Sequence, residues 1–207
     1  MLKRNQAWFF WVLPLLICFV ASGCSTLAEL KVHYELPPGS TALSGRSMAL
    51  LVEDGRTVTE ILGKGAAKEY EHFSGKVSFS YARYGEPGFK QGLYDLRELF
   101  TAAFTKKLEN LGMDVRTERA PGALELVIRV EECSLDFVDR RWIARAVYEA
   151  RVEENGRFLA SQRISGQSER LKIIGRKQAD AVMSELFTDT VNQLDVVRLL
   201  EQAERVR

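Results

Sequence analysis

Trp142-Ile143-Ala144-Arg145-Ala146-Val147-Tyr148-Glu149-Ala150-Arg151-Val152-Glu153-Glu154-Asn155-Gly156-Arg157-Phe158 is the stretch that decides the fold. Trp142, Ala144, Ala146, Tyr148, Ala150 and Val152 occupy every second position, with Arg145, Glu149, Arg151 and Glu153 between them. That period of two belongs to a strand with one buried face. Asn155-Gly156 then closes the run, and Phe158, Ala160 and Ile164 take it up again, so the stretch reads as a hairpin. Two loop lengths compete. A two-residue Asn-Gly loop pairs Val152 with Leu159 and puts Phe158 beside Glu153 on the polar side. A three-residue loop, Glu154-Asn155-Gly156, pairs Val152 with Phe158, Ala150 with Ala160 and Ala146 with Ile164, and keeps the apolar set together. The second is preferred, with Gly156 in the bulge position. The small alanines at 144, 146 and 150 leave room for a helix to lie close to this face.

Working back from the hairpin, Leu124, Leu126, Ile128 and Val130 face one way, whereas Cys133, Leu135 and Phe137 have the opposite parity. A one-residue slip turns every side chain over. A β-bulge near Glu131-Glu132 is therefore predicted, restoring one buried face. Met113 to Glu118 reads as a brief strand before an Ala120-Pro121-Gly122 turn. Asp95 to Leu111 reads as a helix, with Leu96, Leu99, Phe100, Ala103, Phe104 and Leu108 on one side. Asp95 and Glu98 form a capping-box pattern, and Gly112 stands at a left-handed C-cap. At the other end of the chain, Ala179, Val182, Met183, Leu186, Phe187, Thr190, Leu194, Val197 and Leu200 hold helical spacing from about 177 to 204, a length of about 42 Å. Its far end either overhangs the sheet or is a solvated terminus. Ser47 to Val52 is a buried first strand. Residues from about 56 to 92 form a Gly- and aromatic-rich insert, strand-like at Lys76 to Tyr81. The expected architecture is α+β: two layers, a mostly antiparallel β-sheet with two helices packed on one face, in a single domain over 46–207.

The first 24 residues carry a different signal. Lys3 and Arg4 precede an apolar run from Ala7 to Val20, about 21 Å as a helix and too short for a hydrocarbon core of about 30 Å. Small residues follow at Ala21-Ser22-Gly23, the layout of a secretory signal. With Cys24 directly after Gly23, the stretch resembles the lipobox of bacterial lipoproteins. That resemblance implies a signal peptide over 1–23, cleavage between Gly23 and Cys24, and acylation (palmitate among the chains) of Cys24. Ser25 in the next position implies the outer membrane, on its periplasmic face, as the expected location. Residues 24–45, broken by Pro37-Pro38-Gly39, read as a flexible tether spanning on the order of 25 Å.

The rest of the composition mostly excludes. Without Lys3 and Arg4 the chain has 27 basic and 28 acidic residues, so nothing electrostatic points to nucleic acid. Cys133 is the cysteine left over and can form no internal disulfide; it reads as a small buried hydrophobe. His33 and His72 have no ligands at metal spacing, and no metal or cofactor is expected. Gly63-Lys64-Gly65 lacks the remainder of a phosphate loop. Glu131-Glu132 and Asp136 with Asp139 read as the wet side of strands. With no nucleophile and base in register, the chain is not expected to be an enzyme. Tyr70, Phe73, Tyr81, Tyr84 and Phe89 in the insert are candidate partner contacts, or else a roof over the sheet edge. Trp142, beside Arg140-Arg141, is either an interaction anchor or a core residue.

Ser22-Gly23-Cys24, Val52-Glu53-Asp54-Gly55-Arg56 with Leu62-Gly63 after it, and the helix end Leu108-Glu109-Asn110-Leu111-Gly112 carry a family likeness. Together with the long strand from Leu124 to Phe137 and the closing helix, they resemble the YajG-type lipoproteins of Gram-negative bacteria. The layout is also similar to auxiliary lipoproteins of ABC-type transport systems. The resemblance implies a non-enzymatic accessory or docking component of a cell-envelope assembly or transport complex, held at the membrane by Cys24. The alternative from another class is a periplasmic lipid- or small-molecule-binding module with a cleft between insert and sheet.

Overall fold

A computed structural model describes residues 28–83, 85–118, 120–173 and 175–207. The chain runs β1 (Leu30–Glu35), β2 (Ser47–Asp54), α1 (Lys64–Glu69), β3 (Val77–Ala82), β4 (Phe89–Tyr94) and α2 (Leu96–Asn110), then β5 (Asp114–Arg116), β6 (Leu124–Val138), β7 (Arg141–Glu154), β8 (Arg157–Leu171), α3 (Lys177–Gln193) and α4 (Val196–Val206). The α+β class stands, but the strands form two sheets. One has five strands in the order β5-β2-β6-β7-β8, and the other has three in the order β1-β3-β4.

The hairpins β6-β7-β8 are antiparallel, whereas β2 lies parallel to both β6 and β5, and β1 parallel to β3. The sheets are therefore mixed rather than mostly antiparallel. A parallel neighbour needs a long crossover, and the 56–92 segment with α2 supplies one between β2 and β5. This segment is no irregular insert: α1, β3 and the start of β4 lie within it. The segment expected as a tether is corrected likewise. Leu30, Val32 and Tyr34 are wholly buried in β1, and Ala28 and Leu36 are buried on either side. The alternation was present, but three apolar positions behind a signal-like segment are too few to announce a strand whose partner lies 47 residues away.

Helices α2 and α3 each touch both sheets: α2 packs on β2, β5, β3 and β4, and α3 on β7, β8 and β1. Their rings meet between the layers, with Phe100 and Phe187 centred 5.2 Å apart and Phe104 and Tyr148 5.4 Å apart. The close approach over small residues holds, since Ala144, Ala146 and Ala150 are buried. Gly166 on β8 matters most: a Cβ there would stand 2.6 Å from Cγ2 of Thr190. The Asp95 capping box forms, and Gly112, at φ 85°, ends α2.

The bulge between Val130 and Glu132 lies where the parity switch requires. The hairpin loop is the two-residue one, Asn155 and Gly156 at φ 50° and 76°, with Glu154 opposite Arg157. Two positive φ values make the turn whose twist suits the flanking strands. Phe158 accordingly stands beside Glu153, 55% exposed, and a register shift at Leu159 brings Ala160 opposite Val152. The bulge is downstream of the loop instead of in it. The single closing helix is also two. Leu194 is extended, Asp195 accepts the Arg198 N–H at 3.0 Å, and α4 buries Leu199, Leu200 and Ala203 beside β8. It therefore neither overhangs nor hangs in solvent.

Candidate functional site

Gly23, Cys24 and Tyr84 lie outside the described residues. The chain is first described at Ala28, and its first strand is fastened in an unusual way. β1 has β3 on one edge and α3 on the other. Along that second edge, the Lys31 N–H donates to Asp180 Oδ1 at 3.0 Å, the His33 N–H to Ser184 Oγ at 2.9 Å and the Glu35 N–H to Thr188 Oγ1 at 3.2 Å. Asn192 Nδ2 donates to the Glu35 carbonyl at 2.9 Å. Residues 180, 184, 188 and 192 stand one above the other on a helix, so a row of side chains does the work of a neighbouring strand. An edge strand otherwise presents unpaired backbone groups. Here the N–H groups of Lys31, His33 and Glu35 and the carbonyls of His33 and Glu35 are met from within.

The candidate aromatic contacts separate into a buried and an accessible group. Tyr70 and Trp142 are buried, 6.1 Å apart edge to face, and Trp142 also lies 4.8 Å from Phe137. Neither can meet a partner, which corrects their place in the contact set. Trp142 keeps the parity of Ala144 and Ala146, so its burial follows from strand alternation. Tyr70 Oη donates to Asp180 Oδ1 at 3.2 Å, and the Arg176 guanidinium stands 5.1 Å over its ring. Phe73 is half-buried against Tyr70. Tyr81 is half-buried beneath Lys106, whose Nζ is 5.6 Å from the ring centre, and Phe89 is 53% exposed beside it. Among the described candidates, Tyr81 and Phe89, at the far end of the three-stranded sheet, and the edge of Phe73 remain accessible.

Two clefts share Thr59, Ile61 and Gly75 as a common wall. One of about 540 Å³ reaches Asp54, Arg56, Asp95 and Arg97; the other, about 520 Å³, is lined by Leu62, Tyr70 and Phe73. Asp54, Arg56 and Asp95 in the first are already engaged. Arg56 Nε and Nη2 donate to the two oxygens of Asp54 at 2.8 and 2.9 Å, which raises the guanidinium further and lowers the carboxyl. Arg56 also donates to the Cys133 carbonyl just beyond the β6 bulge, at 3.4 Å. The Asp54-Gly55-Arg56 turn thus closes the end of β2. Gly63-Lys64-Gly65 wraps an internal anion: Asp136 Oδ1 accepts the Gly65 and Ala66 N–H groups at 2.9 and 3.2 Å. This carboxylate was read as strand surface; its pairing with a Gly-Lys-Gly turn was the signal that could have placed it.

The strongly shifted groups are buried and structural. Burial pushes the Cys133 thiol up to about 12 and the Tyr34, Tyr70 and Tyr148 hydroxyls higher still. Burial lowers Lys107 to about 8, although its Nζ donates to the Val191 and Asn192 carbonyls, at 2.8 and 3.1 Å, at the C-terminal end of α3. Asp180 is raised by burial against the opposing effect of its donors. Among the described residues no three His, Cys, Asp or Glu side chains gather as a metal site, and no described helix is long and apolar enough to cross a membrane. His33, expected free in a tether, bonds through Nδ1 to Ser80 Oγ at 2.9 Å.

No family model and no curated protein matches this chain. Among solved structures it is similar to protein XCC0632 of Xanthomonas campestris, from family DUF330, at 14% identity over 87% of this chain and 98% of that one, with a TM-score of 0.51. That likeness establishes a shared fold. Weaker likenesses link it to a minor lipoprotein from Acinetobacter baumannii (10% identity, 79% and 96% coverage, TM-score 0.42) and to lipoprotein GNA1162 from Neisseria meningitidis (13%, 72% and 96%, TM-score 0.35). At those scores the similarity carries no argument.

Proposed function

We propose that this chain is a lipid-anchored protein of the bacterial envelope, attached through Cys24, and a non-enzymatic accessory component of an envelope assembly or transport complex. The observation that carries the reading is Ser22-Gly23-Cys24 at the end of a short apolar run, placed four residues before a buried Ala28. The polar chemistry of the domain supports it. The carboxylates Asp54, Asp136 and Asp180 are engaged with Arg56, with α1 and with β1, so none of them is left poised over a cleft with a nucleophile. The finer readings are the YajG-type likeness and the periplasmic face of the outer membrane. The test is metabolic labelling with an alkynyl palmitate, followed by crosslinking and pull-down of wild type and Cys24→Ala in a Gram-negative host. Label and a membrane-complex partner on wild type alone are expected; an unlabelled wild-type chain would sink the reading. The ligand-binding alternative draws on the two joined clefts beside Ile61 and Phe73. Lipid extracted from the purified chain and absent from an Ile61→Glu variant would favour it.

A further inference from the structure

The anchored end of this domain has a distinctive surface. Val138, Arg141 and Leu171 lie side by side across β6, β7 and β8, and Val138 and Leu171 are 44% and 62% exposed. Ile173, just past the end of β8, is 77% exposed. The Lys172 N–H donates to the Arg140 carbonyl at 2.9 Å, which joins the β6–β7 turn to the segment after β8. Segments 138–141 and 168–177 together carry six cations, Arg140, Arg141, Arg170, Lys172, Arg176 and Lys177, against two carboxylates, Asp139 and Glu169. Arg141, Arg170 and Lys172 are held by Glu169, Glu185 and Glu69. Arg140 and Lys177 are exposed and form no ion pair among the described residues, and exposed Arg176 lies over Tyr70.

The place of this surface is fixed by the β1 clasp. Lys31 is tied to Asp180 in the first turn of α3, and α3 starts six residues after Leu171. The first described residues and the aliphatic tip are therefore at the same end of the domain. Four steps of chain separate Cys24 from Ala28, a reach of about 14 Å at most. The opposite end of the sheet, at Asn155-Gly156, lies the length of β7 away, about 45 Å. An acyl group on Cys24 would bring the Val138–Ile173 end to the bilayer and hold the other end off it.

We propose that this end docks on an anionic lipid surface, with Leu171 and Ile173 at the interface and Arg140, Arg176 and Lys177 on the headgroups. The inference rests on the lipid anchor proposed above. Aliphatic side chains ringed by cations are the combination that binds such a surface, and a short tether supplies it at high local concentration. The domain then stands end-on, with the three-stranded sheet beside the anchor and Phe158 turned to the periplasm.

Full-length lipidated protein is the material for the test. Ile173→Cys carries an environment-sensitive nitrobenzoxadiazole label, since Cys133 is buried and Cys24 is acylated, and Ser161→Cys is the distant control. Both are bound to phosphatidylethanolamine/phosphatidylglycerol vesicles and to phosphatidylcholine vesicles. The label at 173 is expected to shift to the blue and to be quenched by doxyl lipid on phosphatidylglycerol vesicles, and the label at 161 to stay water-like on both. Arg140→Glu or Lys177→Glu should lower the docked population about fivefold each. A chain that floats with the vesicles while its 173 label stays water-like overturns the docking and leaves the anchor standing. A 173 label buried in native envelopes but not on these vesicles also overturns it, in favour of a protein partner. A chain without acyl groups that fails to float overturns both.

Discussion

Within the five-stranded sheet β7 pairs with β6 and β8 with β7, each the strand just before it, whereas in the three-stranded sheet Leu30 of β1 lies against Val77 of β3, 47 residues on. The first sheet is closed by tight turns at Asp139-Arg140 and Asn155-Gly156, all four residues at positive φ. The second is closed by side chains of α3, about 150 residues from the strand they hold. Local pairing costs little loop entropy, and distant pairing must recover more of it from contacts. The difference shows how a short parallel strand persists at an edge: the helix packed beside it supplies the missing hydrogen-bond partners.

The largest effect is expected at Trp142 of the large sheet, which packs on Tyr70, the ring whose hydroxyl bonds to Asp180 of the clasp. Trp142→Ala leaves a cavity between Tyr70 and Phe137 and should cost about 3–5 kcal/mol, read as a lower midpoint in urea unfolding. Trp142→Phe should cost far less, because the indole N–H has no partner among the described residues. Lys107 provides the next test. With its folded value near 8 and its ordinary value near 10.5, the unfolded chain keeps a proton that the folded one has released. Stability should therefore rise with pH between those values, by up to about 3 kcal/mol. That rise should vanish relative to wild type in Lys107→Met.

The sharpest contrast is Ser184→Ala with Thr188→Val, which strips two acceptors from the clasp. The cost should be about 1–3 kcal/mol per stranded N–H. Hydrogen exchange should show the loss at His33 and Glu35 while the amides of β6, β7 and β8 keep their protection. Equal loss in both sheets would mean that the clasp and the large sheet form one cooperative unit. The smallest effect belongs to the well-paired side: Gly156→Ala forces a Cβ into positive φ at 76° and should cost about 1 kcal/mol, without moving exchange in β1.

Legibility follows the same division. Helix α2 was readable because Asp95, Glu98 and Gly112 mark both ends, and the β6 bulge because parity changes at Glu131. The hairpin loop was misread because a second bulge, at Leu159, does the job assigned to the loop. Asp195 was hidden by the apolar residues on both sides of it, although an Asp before Val196 is a cap in waiting. The accessible aromatics could not be told from the buried ones while β1 was missing from the reading. Phe187, packed against Tyr34 of β1, covers Phe79, and Asp180 fixes Tyr70.

The clasp also acts as a vernier. Its three N–H rungs, at Lys31, His33 and Glu35, are two residues apart on β1, about 6.6 Å, and four residues apart on α3, about 6.0 Å. Each rung drifts about 0.6 Å from the last, so the two intervals from Lys31 to Glu35 consume about 1.2 Å. Asn192, one turn beyond Thr188, comes back to the carbonyl of Glu35, whose N–H Thr188 already holds, and there β1 stops, handing the chain to Leu36 and Pro37-Pro38. A β1 lengthened by two residues would bring Pro37 to the next rung, where there is no N–H to donate.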